Sequence, residues 1–95
     1  PGNIDVSIKS FALHQNYPNP FNPVTHIRFD LPKTSQVNLK IYNILGEEIA
    51  TVVSTTLAAG SYQYDWNASD YPSGLYFYQL EAGPFTDIKK MLLIK

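Results

Sequence analysis

The chain contains no cysteine. A disulfide framework, a thiolate zinc site and a cysteine nucleophile are therefore excluded. That absence suits a protein exported without oxidative folding and a cytosolic one equally well. Charge of one sign is also missing: seven basic against eight acidic residues leave a formal net charge of −1, which gives no electrostatic footing for nucleic acid. No apolar stretch approaches the roughly 20 residues of a membrane-spanning helix; the run Met91-Leu92-Leu93-Ile94 suffices for one strand. The opening Pro1-Gly2-Asn3 has neither an initiator Met nor a secretory signal. This reads as a segment of a longer protein, with residues 1–10, polar and weakly patterned, as a linker or expression remnant and residues 11–95 as one domain.

What is present favours strands. Ninety-five residues, 44% apolar and 14% aromatic, are enough for one two-layer core. Seven Tyr, five Phe and one Trp fit a pleated surface better than a helix. Ile27, Phe29 and Leu31 alternate with His26, Arg28 and Asp30, and Val37, Leu39 and Ile41 alternate with Asn38, Lys40 and Tyr42. Asn43-Ile44-Leu45-Gly46 predicts a tight connection with positive φ at Gly46. A third strand is expected over 47–54, around Ile49, Thr51 and Val53, since Val52, Val53, Ser54 and Thr55 disfavour a helix there. Leu57–Gly60 predicts a loop. Tyr62, Tyr64 and Trp66 then alternate with polar residues, and Asn67–Gly74 predicts a second loop. Leu75–Ala82 is apolar on both faces, as in a central strand, and 86–94 completes the set after a turn at Gly83-Pro84. With Phe11-Ala12-Leu13 as an edge segment, the expected fold is an all-β, immunoglobulin-like antiparallel sandwich of about seven strands. Its predicted core holds Ile27, Phe29, Val37, Leu39, Ile41, Ile49, Trp66, Tyr76, Tyr78 and Leu80. Tyr76, in Gly74-Leu75-Tyr76, is placed as the tyrosine corner of such sandwiches.

The run Gln15-Asn16-Tyr17-Pro18-Asn19-Pro20-Phe21-Asn22-Pro23 stands apart. Three prolines in six residues remove three backbone donors and fix three φ angles. Asn19 and Asn22, each before a proline, are restricted in turn. The product is a stiff approach to the first long strand, and Phe21 is expected to plug one end of the core.

Candidate chemistry is sparse. His26 falls on the polar face of its strand, and His14 lies in the edge segment without a motif partner. Glu47-Glu48 reads as solvated charge in a turn. Asp65, Asn67 and Asp70 have carboxylate and amide oxygens suited to calcium. They lack the Gly and terminal Glu of an EF-hand loop, however, and fit a cluster of turn formers better. Asn67-Ala68-Ser69 matches the glycosylation sequon, a pattern common by chance. No catalytic residue, metal site or cofactor is expected, and the chain is not expected to be an enzyme. An alternative role is a carbohydrate-binding or adhesive module using Tyr42, Tyr71 and Phe85 if these are exposed on one face. A structural spacer is a further possibility.

The motifs match a family in order. The proline run followed by Thr25-x-Ile27-x-Phe29, then Val37-x-Leu39-x-Ile41-Tyr42-Asn43-Ile44-Leu45-Gly46-Glu47-Glu48-Ile49, Ala59-Gly60-x-Tyr62, Ser73-Gly74-Leu75-Tyr76-Phe77-Tyr78-x-Leu80 and Lys89-Lys90-Met91-Leu92-Leu93-Ile94-Lys95, resembles the type A C-terminal sorting domains of the type IX secretion system. Related immunoglobulin-like modules occur in flagellar hook-capping proteins, but the terminal Lys-Lys strand points to the sorting family. The resemblance spans residues 11–95. It implies a non-catalytic signal that directs an upstream cargo across the outer membrane of Bacteroidetes and related bacteria. The cargo would pass through the periplasm to the cell surface or medium. The implied partners are the secretion translocon, the covalently linked cargo and, in many cargoes, a sortase cutting in the preceding linker. The signature and recognition residues it implies here are Asn19, Pro20, Phe21, Gly46, Gly74, Tyr76, Lys89, Lys90 and Lys95. The last strand, expected at a sheet edge, could accept a partner strand there, and its lysines could equally serve to block unwanted pairing.

Overall fold

A computed structural model describes residues 8–95. Seven strands form two antiparallel sheets. One sheet runs β1 (Ala12–Leu13), β2 (Val24–Leu31), β5 (Gly60–Asn67). The other runs β4 (Glu48–Leu57), β3 (Ser35–Tyr42), β6 (Gly74–Ala82), β7 (Phe85–Leu93). The expected sandwich is found, with β6 inside its sheet and β7 at an edge. In constant-type immunoglobulin domains the fourth strand joins the sheet of the first, second and fifth. Here β4 pairs with β3 instead, the side on which variable domains carry their additional strands.

Period-two alternation builds the core. Thr25, Ile27, Phe29 and Leu31 of β2 point inward, as do Val37, Leu39 and Ile41 of β3 and Tyr76, Tyr78, Leu80 and Ala82 of β6. Leu13, Phe21, Val53, Trp66, Ala68, Met91 and Leu93 complete one continuous cluster. Phe29 is sandwiched by Tyr62 and Tyr64, with ring centroids 5.5 and 5.9 Å away.

Ile49 departs from the expected core. Only Val53 of β4 is buried, and Ile49 is half-buried. Two bulges cause this. Leu39 faces Val53, but Lys40 faces Thr51, Ile41 faces Ala50 and Tyr42 faces Glu48. Val52 and Ile49 are the extra residues, and each bulge reverses the strand's inward phase. Thr51 is thereby turned to solvent, contrary to its predicted place beside Ile49 and Val53. The strand also runs on to Leu57, so the loop expected at 57–60 shrinks to Ala58 and Ala59. Of the expected linker, residues 1–7 lie outside the described residues.

Candidate recognition site at the terminal strand

β7 is built into the sheet on one side and strapped on the other. Its inner edge pairs with β6 from Phe85–Ala82 to Leu93–Gly74. Its outer edge meets the proline run. The Gln15 side-chain amide donates to the Lys90 carbonyl at 2.8 Å, and the Leu92 amide donates to Asn19 Oδ1 at 2.9 Å. Phe21 then pairs in parallel with Leu93: its amide donates to the Leu92 carbonyl and its carbonyl accepts from the Ile94 amide, each at 3.0 Å. The edge groups expected to be open between residues 90 and 94 are therefore largely occupied within the domain. Farther back, the Ile88 amide donates to the Asp87 carboxylate at 2.8 Å. Strand addition to this edge would require displacing the strap.

The strap is itself anchored to the opposite sheet. Tyr17 and His26 exchange backbone hydrogen bonds at 3.0 and 2.9 Å. Asn16, 3% exposed, donates through Nδ2 to Thr25 Oγ1 (2.9 Å) and the Pro18 carbonyl (3.2 Å), and Thr25 Oγ1 donates to the same carbonyl at 2.9 Å. The buried Tyr78 hydroxyl accepts from the Asn16 amide at 2.8 Å and donates to the His14 carbonyl at 2.7 Å. Burial, with the Asp87 charge adding, pushes this phenol up to about 12 despite the Asn16 hydrogen bond. The peptide bonds preceding Pro18, Pro20 and Pro23 are cis. Phe21 is 2% exposed, with its ring centroid 5.9 Å from Trp66, so it closes the core end as expected. Pro20 is exposed between Asn19 and Phe21.

The loop before β6 forms the second support. Tyr76 donates its hydroxyl to the Pro72 carbonyl at 2.7 Å, the hydrogen bond of a tyrosine corner. Its ring packs edge-on against Trp66 at 5.7 Å and Tyr71 at 6.3 Å. Gly74 opens β6 at φ 155°, with nothing within 4 Å of the place a Cβ would take. Backbone conformation, not space, requires glycine there. The same loop holds the chain's last residue: the Lys95 amide donates to Ser73 Oγ at 2.9 Å, and its ammonium reaches the Ser69 carbonyl.

A family model for the secretion system C-terminal sorting domain matches residues 15–95. The chain belongs to that family. No curated protein and no solved structure matches it. The matched stretch begins at Gln15, the first strap residue to contact β7, and covers every contact just described except that of Tyr78 with the His14 carbonyl. The sorting domain is a signal for type IX secretion, which directs an attached cargo to the cell surface or medium and engages the secretion machinery.

Within this sorting domain the predicted signature residues lie in four places. Asn19, Pro20 and Phe21 lie in the strap, and Gly74 and Tyr76 lie in the supporting corner. Gly46 lies at the hairpin between β3 and β4, at φ 80°, in a turn closed by Asn43. The Asn43 side-chain oxygen accepts from the amides of Leu45 (2.9 Å) and Glu47 (3.0 Å). The three lysines diverge. Lys89 lies on the inward phase of β7, half-buried, with its ammonium 4.0 Å from Asp87. Lys90 points the other way and is exposed.

Gln15, Asn16, Thr25 and Tyr78 carry the strap network, although no polar role was assigned to them from sequence. The signal was present, since Asn16 and Thr25 lie inside the quoted motifs. The remaining candidates have local partners. His14 Nε2 lies 2.9 Å from Asp30 Oδ2 and His26 Nδ1 lies 2.5 Å from Asp65 Oδ1. Asn67 closes a turn onto the Ser69 amide at 2.9 Å. Tyr71 packs on Trp66 and donates to the Ile49 carbonyl at 3.0 Å, while Phe85 stacks on Phe11 at 5.4 Å. These two rings serve packing and form no common aromatic platform with Tyr42.

Proposed function

We propose that β7 and its lysines carry recognition, and that the strap and corner act by holding that strand in one presentation. The observation behind this is the double clasp: side chains and backbone of Gln15, Asn19 and Phe21 on its outer edge, and Ser69 and Ser73 on Lys95. Asn19, Pro20, Phe21, Gly46, Gly74 and Tyr76 shape the surface. The domain itself is non-catalytic. Cargo crosses the periplasm before translocation, and a sortase separates it from the domain in the linker before residue 11.

The test appends the chain to a periplasmic reporter in a bacterium that carries the type IX system. The reporter reaches the surface or medium in that strain and stays in the periplasm of a strain lacking the translocon. Equal appearance outside both strains would overturn the reading. Deleting 86–95 is a poor control, because Met91 and Leu93 are core residues and their loss unfolds the domain as well as removing the signal.

A further inference from the structure

The outward face of β6 and β7 is apolar around Lys90 at the end near Leu75 and Leu92, and turns polar toward Glu81 and Thr86. Cross-strand register places Leu75 opposite Leu92, Phe77 opposite Lys90 and Gln79 opposite Ile88, so these side chains share one surface. Ile88 is 53% exposed, and Leu75 and Leu92 are more than a third exposed. The β3–β4 hairpin stands beside this face with Ile44 68% exposed. Between hairpin and sheet lies a groove of about 290 Å³ that includes Ile44, Phe77 and Ile88.

Lys90 sits in the middle of this surface. Lys89 has Asp87, Lys40 has Glu48 at 3.3 Å and the Lys95 ammonium has the Ser69 carbonyl. Lys90 has no ion-pair partner among the described residues. A partner that covers the aliphatic side chains also takes the ammonium out of water. Such burial is unfavourable unless the partner supplies an acceptor. Charge complementarity thus specifies the occupant: an apolar protein surface carrying an Asp or Glu opposite Lys90. Because the outer edge of β7 is strapped, side chains of this face can be read in the folded domain without moving any hydrogen bond.

We infer that the outward β6–β7 face centred on Lys90 is the surface the secretion machinery reads, through an apolar patch bearing a carboxylate. This rests on the sorting role proposed above and narrows it from three lysines to one. The reporter fusion tests it with Lys90→Glu, Ile88→Asp, Lys90→Arg and Lys33→Gln. Denaturation midpoints followed by Trp66 fluorescence confirm that each variant is folded. Lys90→Glu and Ile88→Asp should each lower export by about tenfold, while Lys90→Arg, which keeps the charge, and Lys33→Gln, in the exposed turn between β2 and β3, should leave it near wild type. Folded Lys90→Glu and Ile88→Asp variants exported at the wild-type level would overturn this inference while the sorting role stood. A wild-type fusion that stays in the periplasm would instead remove the sorting role. Sedimentation showing a wild-type dimer that Lys90→Glu dissociates would replace the machinery with a second copy as occupant. Pelleting of the wild type, but not Lys90→Glu, with anionic lipid vesicles would replace it with a membrane surface. Either result would also overturn the inference.

Discussion

Asn19 accepts the backbone amide of Leu92 at 2.9 Å, joining residues 73 positions apart in sequence. One side chain stands in for the neighbouring strand that an edge lacks. Flanked by Gln15 and Phe21, it turns the last strand from an open edge into a closed one over Lys90–Ile94. Asparagine suits the task because its carbonyl oxygen mimics the backbone acceptor that a β-ladder would supply.

Asn19→Ala should therefore cost about 0.5–1.5 kcal/mol, the net contribution of one such hydrogen bond at a solvated site. The specific readout is amide hydrogen exchange. The Leu92 amide should exchange faster than in the wild type while amides paired between β3 and β6 keep their protection. Unchanged exchange at Leu92 would mean that this contact does not persist in solution.

Phe21→Ala removes a ring that is 2% exposed and in contact with Trp66. The expected loss is about 3–5 kcal/mol, the range for deleting a buried aromatic side chain. Chemical denaturation measures it. A loss below about 1 kcal/mol would place Phe21 outside the core.

Tyr78→Phe leaves the Asn16 amide and the His14 carbonyl without their common partner, at a cost of about 1–3 kcal/mol. It also has a pH signature. Burial raises this phenol above its ordinary 10.0 to about 12 in the folded state. The unfolded chain therefore ionises first. The associated stability is fully present below pH 10.0 and is lost as pH rises through about 12. Denaturation midpoints measured across that window should fall less steeply for Tyr78→Phe. Tyr76, whose phenol is raised by burial and by Tyr71, leaves a residual slope.

Asp30 governs the acid side. Burial alone would raise its carboxyl, but hydrogen bonds from His14 and Ser61, with the charges of His14 and Arg28, outweigh it and hold the group below 3.8. The unfolded chain protonates first. This contribution is present above 3.8 and is lost as pH falls through the lower folded value. Asp30→Asn should flatten the acid limb of the stability profile. An identical limb in the variant would show that the His14–Asp30 pair does not form in solution.

Local pattern alone determined the strand set, the buried faces of β2, β3 and β6, and the plugging role of Phe21. Side chains alternate wherever one face of a regular strand is buried, and prolines fix their own φ. Tyr76 as a corner was likewise readable, because its partner, Pro72, lies four residues away. The ordered motifs were enough to indicate the sorting family. Tertiary structure alone decided the rest. The bulges that exclude Ile49 and Thr51 from the inward row arise where β4 meets β3, and no period within β4 records them. The strap's grip on β7 depends on two sheets bringing residues 15–21 against residues 90–94. The opposite orientations of Lys89 and Lys90 follow from period two. Period two likewise sets Lys89 on the face of Asp87, two residues away on the same strand. Tertiary structure alone left Lys90 without an ion-pair partner among the described residues in an apolar field, because side chains of β6, β7 and the β3–β4 hairpin compose that field.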